Sequence, residues 1–87
     1  MPAIARNDDL CGGAIIATAT KTFVNSKLVA RIGDKVTSHG TGAHSVAVMV
    51  EGSSTVLAEG IGVCRLGDAA SCGHTVSAAS PDVYAGD

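Results

Sequence analysis

The sequence predicts a small all-β protein built from three related units. An Arg followed by an Asp three residues later occurs at residues 6–9, 31–34 and 65–68. Between these motifs lie short runs rich in β-branched residues and bounded by Gly, Ser, Asn or Asp, a pattern that favours strands. The runs cover residues 14–16, 22–24, 46–50, 55–57 and 83–84. A unit of this size cannot bury its own apolar face, so we expect three β-hairpin repeats packed around one common axis.

Composition limits what can hold such a fold together. The chain has 87 residues, which is the size of one domain, and it has no Trp, one Phe and one Tyr. Its core must therefore consist of small and β-branched side chains that each bury little area. We expect an additional cross-link, which in so small a domain is a metal ion, a disulfide or a partner subunit.

Charge and hydropathy exclude several classes of protein. The formal net charge is −2 and there is no basic run, so the electrostatic signature of a nucleic-acid-binding protein is missing. No apolar stretch reaches the roughly 18 residues of a membrane helix. The N-terminal residues do not form a signal peptide, which predicts synthesis in the cytoplasm. Three cysteines in that compartment indicate free thiols or metal ligands rather than disulfides.

The repeats give approximate boundaries within a single domain of residues 1–87. We place them at residues 3–27, 28–60 and 61–87, with an apolar position late in each copy at Phe23, Val56 and Val83. The middle copy is longer than the others, and its extra residues surround residues 39–44. A Gly-rich insertion of this kind is a loop, and loops often carry function.

Each Arg-x-x-Asp motif is expected to form a turn. Gly33 and Gly67 would supply backbone angles that other residues avoid. The Arg and Asp of each copy would form ion pairs that brace the hairpins. We expect at most one short helix, near the N-terminus or around residues 26–31.

Four side chains form a candidate metal site. Cys72 and His74 are two residues apart, so on an extended strand they point to the same face. His39 and His44 lie in the Gly-rich loop, which allows them to converge on the same ion. Three imidazoles and one thiolate make a closed tetrahedral zinc site. A single thiolate argues against an iron–sulfur cluster.

The other two cysteines have different interpretations. Residues 11–13 parallel residues 72–74, so Cys11 either replaces one histidine as a ligand or lies beside the site as a spare thiol. Cys64 aligns with Ala5 and Ala30 and is expected to be a small buried residue.

The ordered set of motifs resembles the PAAR-repeat family over nearly the whole chain. Residues 2–6 are similar to the Pro-Ala-Ala-Arg signature. Residues 29–34 and 63–68 are similar to the later repeats of that signature within the chain. Residues 51–56 and 79–83 resemble the Gly-Ser-x-x-Val elements of the family.

The resemblance implies a sharp cone that sits on the blunt end of a trimeric β-helical spike. That spike is the VgrG-type protein of type VI secretion systems or the central spike of a contractile phage tail. The resemblance also implies a structural zinc ion near the tip of the cone, held by His39, His44, Cys72 and His74. The chain would contact a target membrane only while piercing it. If it assists toxins, it would do so by carrying separate effector proteins.

We therefore expect a non-enzymatic spike tip, made without a signal peptide and carried on a phage tail or secreted by an injection machine. One alternative is a small zinc-dependent or Cys/His hydrolase, for which Glu51 and Glu59 are available as general bases. Another is a free metal-binding module. Four protein ligands and no bound water would argue against a catalytic zinc ion.

Overall fold

The computed structural model describes residues 2–86, apart from the side chains of Ala43 and His44. These residues form short strands joined by loops, which confirms the all-β prediction. The strands are β1 (Leu10–Cys11), β2 (Gly13–Ile16), β3 (Phe23–Val24), β4 (Lys27–Leu28), β5 (Lys35–Val36), β6 (Leu57–Ala58) and β7 (Ile61–Gly62). Their antiparallel pairing gives a β1–β2–β5 sheet and the two hairpins β3–β4 and β6–β7.

Three backbone hydrogen bonds close a ring in the middle of the fold. Ala5 N–H donates to the carbonyl of Cys64 at 2.9 Å, Cys64 N–H to that of Ala30 at 2.8 Å, and Ala30 N–H to that of Ala5 at 3.0 Å. A second set of three hydrogen bonds repeats the pattern. The N–H groups of Asn7, Ile32 and Leu66 donate to the carbonyls of Leu28, Gly62 and Ala3, respectively. This cyclic order, in which each unit bonds to the next, is consistent with three repeats around a common axis.

The Arg-x-x-Asp motif forms the same turn in every copy. The backbone N–H of each Arg donates to the carboxylate of its Asp at 2.8 Å. The residue before the Asp has a left-handed φ, which is 72° at Asp8, 93° at Gly33 and 91° at Gly67. Glycine adopts this region without strain, so the expected role of the two glycines is confirmed.

Two of the three motifs also contain the expected ion pair. Arg6 Nε lies 2.8 Å from Asp9 Oδ2, and Arg65 Nε lies 3.0 Å from Asp68 Oδ2. In both pairs Nη2 bonds to the second carboxylate oxygen, so the contact is bidentate.

The prediction of an ion pair is wrong for the middle copy, because a threonine separates the two charged groups. Arg31 Nη2 donates to Thr18 Oγ1 at 2.9 Å, and the Thr18 hydroxyl donates to Asp34 Oδ1. The Arg31 guanidinium instead reaches Glu59 Oε1 at 3.8 Å. The neutral hydroxyl of Thr18 thus bridges Arg31 and Asp34 by two hydrogen bonds.

Two hairpins are closed by turns of left-handed residues. In β3–β4 these are Asn25 and Ser26, with φ of 54° and 66°; in β6–β7 they are Glu59 and Gly60, with φ of 53° and 85°. Two consecutive positive φ angles are typical of the type I′ turn, whose twist suits a two-residue hairpin.

The third hairpin is made from the two terminal segments. Tyr84 pairs antiparallel with Ala3, and Ala85 N–H donates to the carbonyl of Pro2 at 2.9 Å. Tyr84 therefore corresponds to Phe23, which pairs with Leu28, and to Leu57, which pairs with Gly62. The predicted alignment of Phe23 with Val56 and Val83 is wrong by one residue, because the local sequence does not fix the strand register.

The buried side chains form two clusters, one on each side of the ring. The cluster on the loop side, towards residues 10–14, 35–48 and 69–75, contains Ala5, Cys11, Ile15, Ala30, Val36, Ala47, Met49, Cys64, Ala70 and Val76. The cluster on the hairpin side contains Ile4, Ala19, Val24, Val29, Ala58, Val63 and Ala85. Neighbouring residues such as Ile4 and Ala5 alternate between the two clusters, as the period of an extended strand requires.

Two local expectations differ from the structure. Residues 46–50 contain only isolated bridges, from Val48 to Lys35 and from Met49 to Ala70, rather than a continuous strand. The short helix is a 3-10 turn at Gly42–Ser45, whereas residues 27–28 of the predicted helical segment form β4.

The molecule measures 32 × 23 × 22 Å, so one long axis is combined with two nearly equal short ones. Within residues 2–86, no helix has the length and apolarity needed to cross a bilayer.

Candidate metal centre

Two loops on the same side of the ring carry the candidate ligands. His39 follows β5 in the long middle loop. Cys72 and His74 lie in a turn whose base is the bridge between Ala69 and Thr75. Gly73, with a φ of 92°, allows the sharp change of direction between the two ligands.

The three side chains converge although His39 is far from the other two in sequence. The donor atoms of His39, Cys72 and His74 all lie within 4.8 Å of one another. Cys72 Sγ is 3.5 Å from His39 Nε2, and the His39 and His74 rings meet edge-on with their centroids 5.0 Å apart. Cys72 and His39 are half-buried, whereas His74 is exposed. The group could hold a metal ion near the surface.

The donor set fits zinc in chemistry and in spacing. Tetrahedral zinc, with a Zn–S bond of about 2.3 Å and a Zn–N bond of about 2.0–2.1 Å, places the sulfur and nitrogen ligands about 3.5 Å apart. Cys72 Sγ and His39 Nε2 have this separation. One thiolate with imidazoles is also a donor set that zinc accepts readily.

His44, the remaining predicted ligand, lies outside the described side chains. Its backbone belongs to the 3-10 turn Gly42–Ser45, in the same loop as His39. His44 as the fourth ligand therefore stays a prediction.

Cys11 occupies a different position from Cys72. It pairs with Gly13 across the tight β1–β2 turn and is fully buried in the loop-side cluster. Its Sγ contacts the backbone carbonyl of His74 at 3.5 Å, and it is not a member of the three-residue donor group. Burial, followed by the nearby Cys72, raises the pKa of the Cys11 thiol. These contacts favour the interpretation of Cys11 as a thiol beside the site.

Cys64 is buried beside the ring, away from the donor group. Its Sγ contacts the backbone carbonyl of Glu51 at 3.4 Å. Burial raises the pKa of this thiol to about 12, which keeps it neutral. Cys64 does not belong to the three-residue donor group.

The two glutamates that were available as general bases are engaged elsewhere. Glu51 accepts a hydrogen bond from Ala69 N–H at 2.9 Å. Glu59 accepts from Lys21 N–H at 2.9 Å and from the Thr22 hydroxyl at 3.0 Å. Neither belongs to the donor group.

Three further residues border the donor group and were not predicted. Gly12 and Gly13 lie against the two imidazole rings, and Thr37 accepts a hydrogen bond from His39 Nδ1 through its carbonyl at 2.8 Å. The adjacent glycines beside Cys11 were the only signal in the sequence. Nothing local to Thr37 distinguishes it from other threonines.

Comparison with known proteins identifies the family. A family model described as the PAAR motif matches residues 7–78. No curated protein matches the chain. The matched segment contains all three Arg-x-x-Asp aspartates, both ligand-bearing loops and the β3–β4 and β6–β7 hairpins. The chain therefore belongs to the PAAR-motif family.

Proposed function

We propose that this protein is a metal-stabilised tip that caps and sharpens a trimeric β-helical spike used to pierce a target envelope. The observation that carries the proposal is the cyclic hydrogen bonding of three units in one chain. A homotrimer presents threefold symmetry, and a single chain caps it well only if that chain has three quasi-equivalent faces.

The hairpin side offers a surface suited to such a partner. Phe23, Leu57 and Tyr84 occupy corresponding positions in the three hairpins and are 59 %, 57 % and 52 % exposed. The same kind of exposed side chain thus recurs once in each unit, as contact with three identical subunits requires. Contact with one chain of the spike per unit would bury all three.

The loop side suits a rigid point. A tip has little interior, and the loop-side cluster is built largely from Ala, Val and Cys. Zinc bound by His39, Cys72, His74 and His44 would cross-link the two ligand-bearing loops. Structural zinc contributes an apparent free energy of about 10–16 kcal/mol, comparable with the whole stability of a small domain, about 5–15 kcal/mol.

The biological setting follows from this role. The chain would be made in the cytoplasm and assembled at the end of a phage tail or a type VI spike. It would travel with the spike through the target membrane and could carry effector proteins.

A docking measurement tests the proposed function. The probe is a trimeric β-helical spike protein from the same organism, with affinity measured by biolayer interferometry. We expect Phe23→Ser, Leu57→Ser and Tyr84→Ser each to weaken binding by about tenfold, since each removes an apolar anchor. Val46→Ser is the control, because Val46 is 77 % exposed on the loop side and should not affect docking. Equal effects of all four variants, or no binding by the unaltered chain, would refute the proposal.

A thiol hydrolase is the second candidate. Cys72 Sγ lies 3.5 Å from His39 Nε2, which is close to the contact between a nucleophile and its base. A ligand role and a nucleophile role predict opposite effects of zinc. A structural ion would protect Cys72 from alkylation and leave docking intact, whereas a thiol hydrolase would hydrolyse esters in the presence of a chelator.

A further inference from the structure

The β1–β2 hairpin supplies none of the three converging donor atoms, yet it forms one wall of the site. A Cβ atom added at Gly12 would lie 2.5 Å from His74 Cδ2 and 2.8 Å from His39 Nε2. A Cβ atom at Gly13 would lie 2.4 Å from the Thr37 carbonyl oxygen and 2.9 Å from His39 Nδ1. The absence of side chains at both positions leaves the space that the two imidazoles fill.

Thr37 connects this wall to His39. Its backbone N–H donates to the carbonyl of Ala14 at 2.8 Å, and its hydroxyl accepts from Ala14 N–H at 2.9 Å. Both bonds join Thr37 to β2. Its carbonyl accepts from His39 Nδ1 at 2.8 Å. Two parallel hydrogen bonds between Ala14 and Thr37, followed by one between Thr37 and His39, therefore connect the backbone of β2 with the imidazole of His39.

The last of these contacts fixes which nitrogen faces the ion. A carbonyl oxygen only accepts hydrogen bonds, so His39 Nδ1 carries the hydrogen and Nε2 keeps its lone pair. Nε2 is the atom that lies 3.5 Å from Cys72 Sγ. Hydrogen bonds of this kind orient histidine ligands and raise their basicity in metal sites.

We propose that Gly13 and Thr37 are positioning residues of the metal centre, through which the β1–β2 hairpin sets the orientation of the His39 imidazole. This inference rests on the proposed metal-binding role. It predicts that affinity and ligand geometry depend on a hairpin that contributes no donor to the three-residue group. Loss of such an outer contact typically lowers metal affinity by about 10–100-fold.

The first test compares two glycine variants with the same kind of clash. In Gly13→Ala the new Cβ meets the Thr37 carbonyl oxygen at 2.4 Å; in Gly62→Ala it meets the Ser53 carbonyl oxygen at 2.2 Å, outside the site. Zinc affinity is measured by chelator competition, and cobalt, bound in place of zinc, reports ligand geometry through its visible absorption.

We expect Gly13→Ala to lower zinc affinity by about 10–100-fold and to shift the cobalt bands. Gly62→Ala should lower the melting temperature but leave affinity and spectrum unchanged. Similar affinities and spectra for the unaltered chain and Gly13→Ala would overturn the inference. Equal losses of affinity in the two variants would also overturn it, because crowding anywhere in the fold would then explain the result.

The second test uses Thr37. Thr37→Ser keeps the hydroxyl that accepts from Ala14 N–H and should retain zinc affinity within about twofold, whereas Thr37→Val loses that bond and should resemble Gly13→Ala. Equal zinc affinities for the two Thr37 variants would overturn this inference but would leave the proposed metal-stabilised tip standing. An unaltered chain that binds neither zinc nor cobalt would refute the metal-stabilised tip and this inference with it.

Discussion

Two cysteines show how burial separates a candidate ligand from a core residue. Cys72 is half-buried with its Sγ 3.5 Å from His39 Nε2. Cys64 is fully buried beside the ring, and burial raises the pKa of its thiol to about 12. The alignment of Cys64 with alanines predicted a small buried residue, which is confirmed. Cys72 as a metal ligand stays a prediction, based on the histidine two residues away.

This contrast predicts opposite effects of two identical substitutions. Cys72→Ala should abolish binding of one zinc ion per chain and lower the melting temperature by roughly 20 °C or more, because a cross-link worth several kcal/mol is lost. Cys64→Ala should keep the metal and lower the melting temperature by only about 4–8 °C, the effect of losing about 1 kcal/mol of buried contact. Elemental analysis and thermal unfolding measure both quantities.

His44→Ala extends the same comparison to the predicted fourth ligand. Loss of zinc from this variant would support three histidines at the site. Full zinc content in Cys72→Ala, or its loss in Cys64→Ala, would show that the assignment of the thiol ligand is wrong.

Among the elements, corresponding turns are capped in different ways. Ser53 Oγ accepts from Val56 N–H, and Ser80 Oγ accepts from Val83 N–H, each at 2.8 Å. The first copy has Ala19 at this position and has no hydroxyl to offer. There the carboxylate of Glu59, from the β6–β7 turn, accepts from the backbone of the first copy instead. A contact between copies thus replaces one within a copy.

The Glu59 cap predicts a particular dependence of stability on pH. Hydrogen bonds from Lys21 N–H and Thr20 N–H lower the pKa of this carboxyl to about 2 from its usual 4.5. Its contribution is therefore fully present above about pH 5 and is lost as the pH falls towards 2. Glu59→Gln should melt a few degrees below the unaltered chain at pH 7, and the difference should shrink across that range.

Differential scanning fluorimetry from pH 7 to pH 2 measures this difference. Asp8→Asn makes the same change in net charge at an exposed carboxylate outside this cap and serves as the control. If the two variants follow the same curve, net charge rather than the cap explains the effect.

Signals near in sequence predicted individual elements better than their pairing. The Arg-x-x-Asp turns of the second and third copies follow from Gly33 and Gly67. The spacing of Cys72 and His74 predicted that they converge, but they do so in a turn at Gly73 and not on the extended strand that the prediction assumed. The pairing of Ala3 with Tyr84 has no local signal, because it depends on closure of the whole ring. The contact between Thr37 and His39 was missed for the same reason, since β2 holds Thr37 in place.

For the whole molecule, the pairing of the terminal segments makes the order of the copies arbitrary. Pro2 and Ala85 are joined by a backbone hydrogen bond at the position where the other two hairpins have their turns. A circular permutant can therefore be made by linking residues 85 and 2 through Asn-Gly and opening the chain between Asn25 and Ser26. Asn-Gly suits the type I′ turn that the other hairpins use.

We expect this permutant to fold, to bind zinc with unchanged stoichiometry and to melt within about 10 °C of the original. A matched permutant opened between Gly13 and Ala14 interrupts β2 and should lose zinc affinity. Calorimetry and elemental analysis compare the two. A permutant opened at Asn25 that fails to fold would contradict the equivalence of the three hairpins.

The three hairpin positions follow one pattern but carry Phe23, Leu57 and Tyr84, which differ in size and polarity. A partner with true threefold symmetry would accept the chain in three rotational settings that differ only in which side chain meets which subunit. Because all three subunits are identical, these settings have equal energy, and assembled particles would be an equal mixture of them. An image reconstruction averaged with threefold symmetry would therefore blur the three side chains into one, and only alignment without imposed symmetry would separate them.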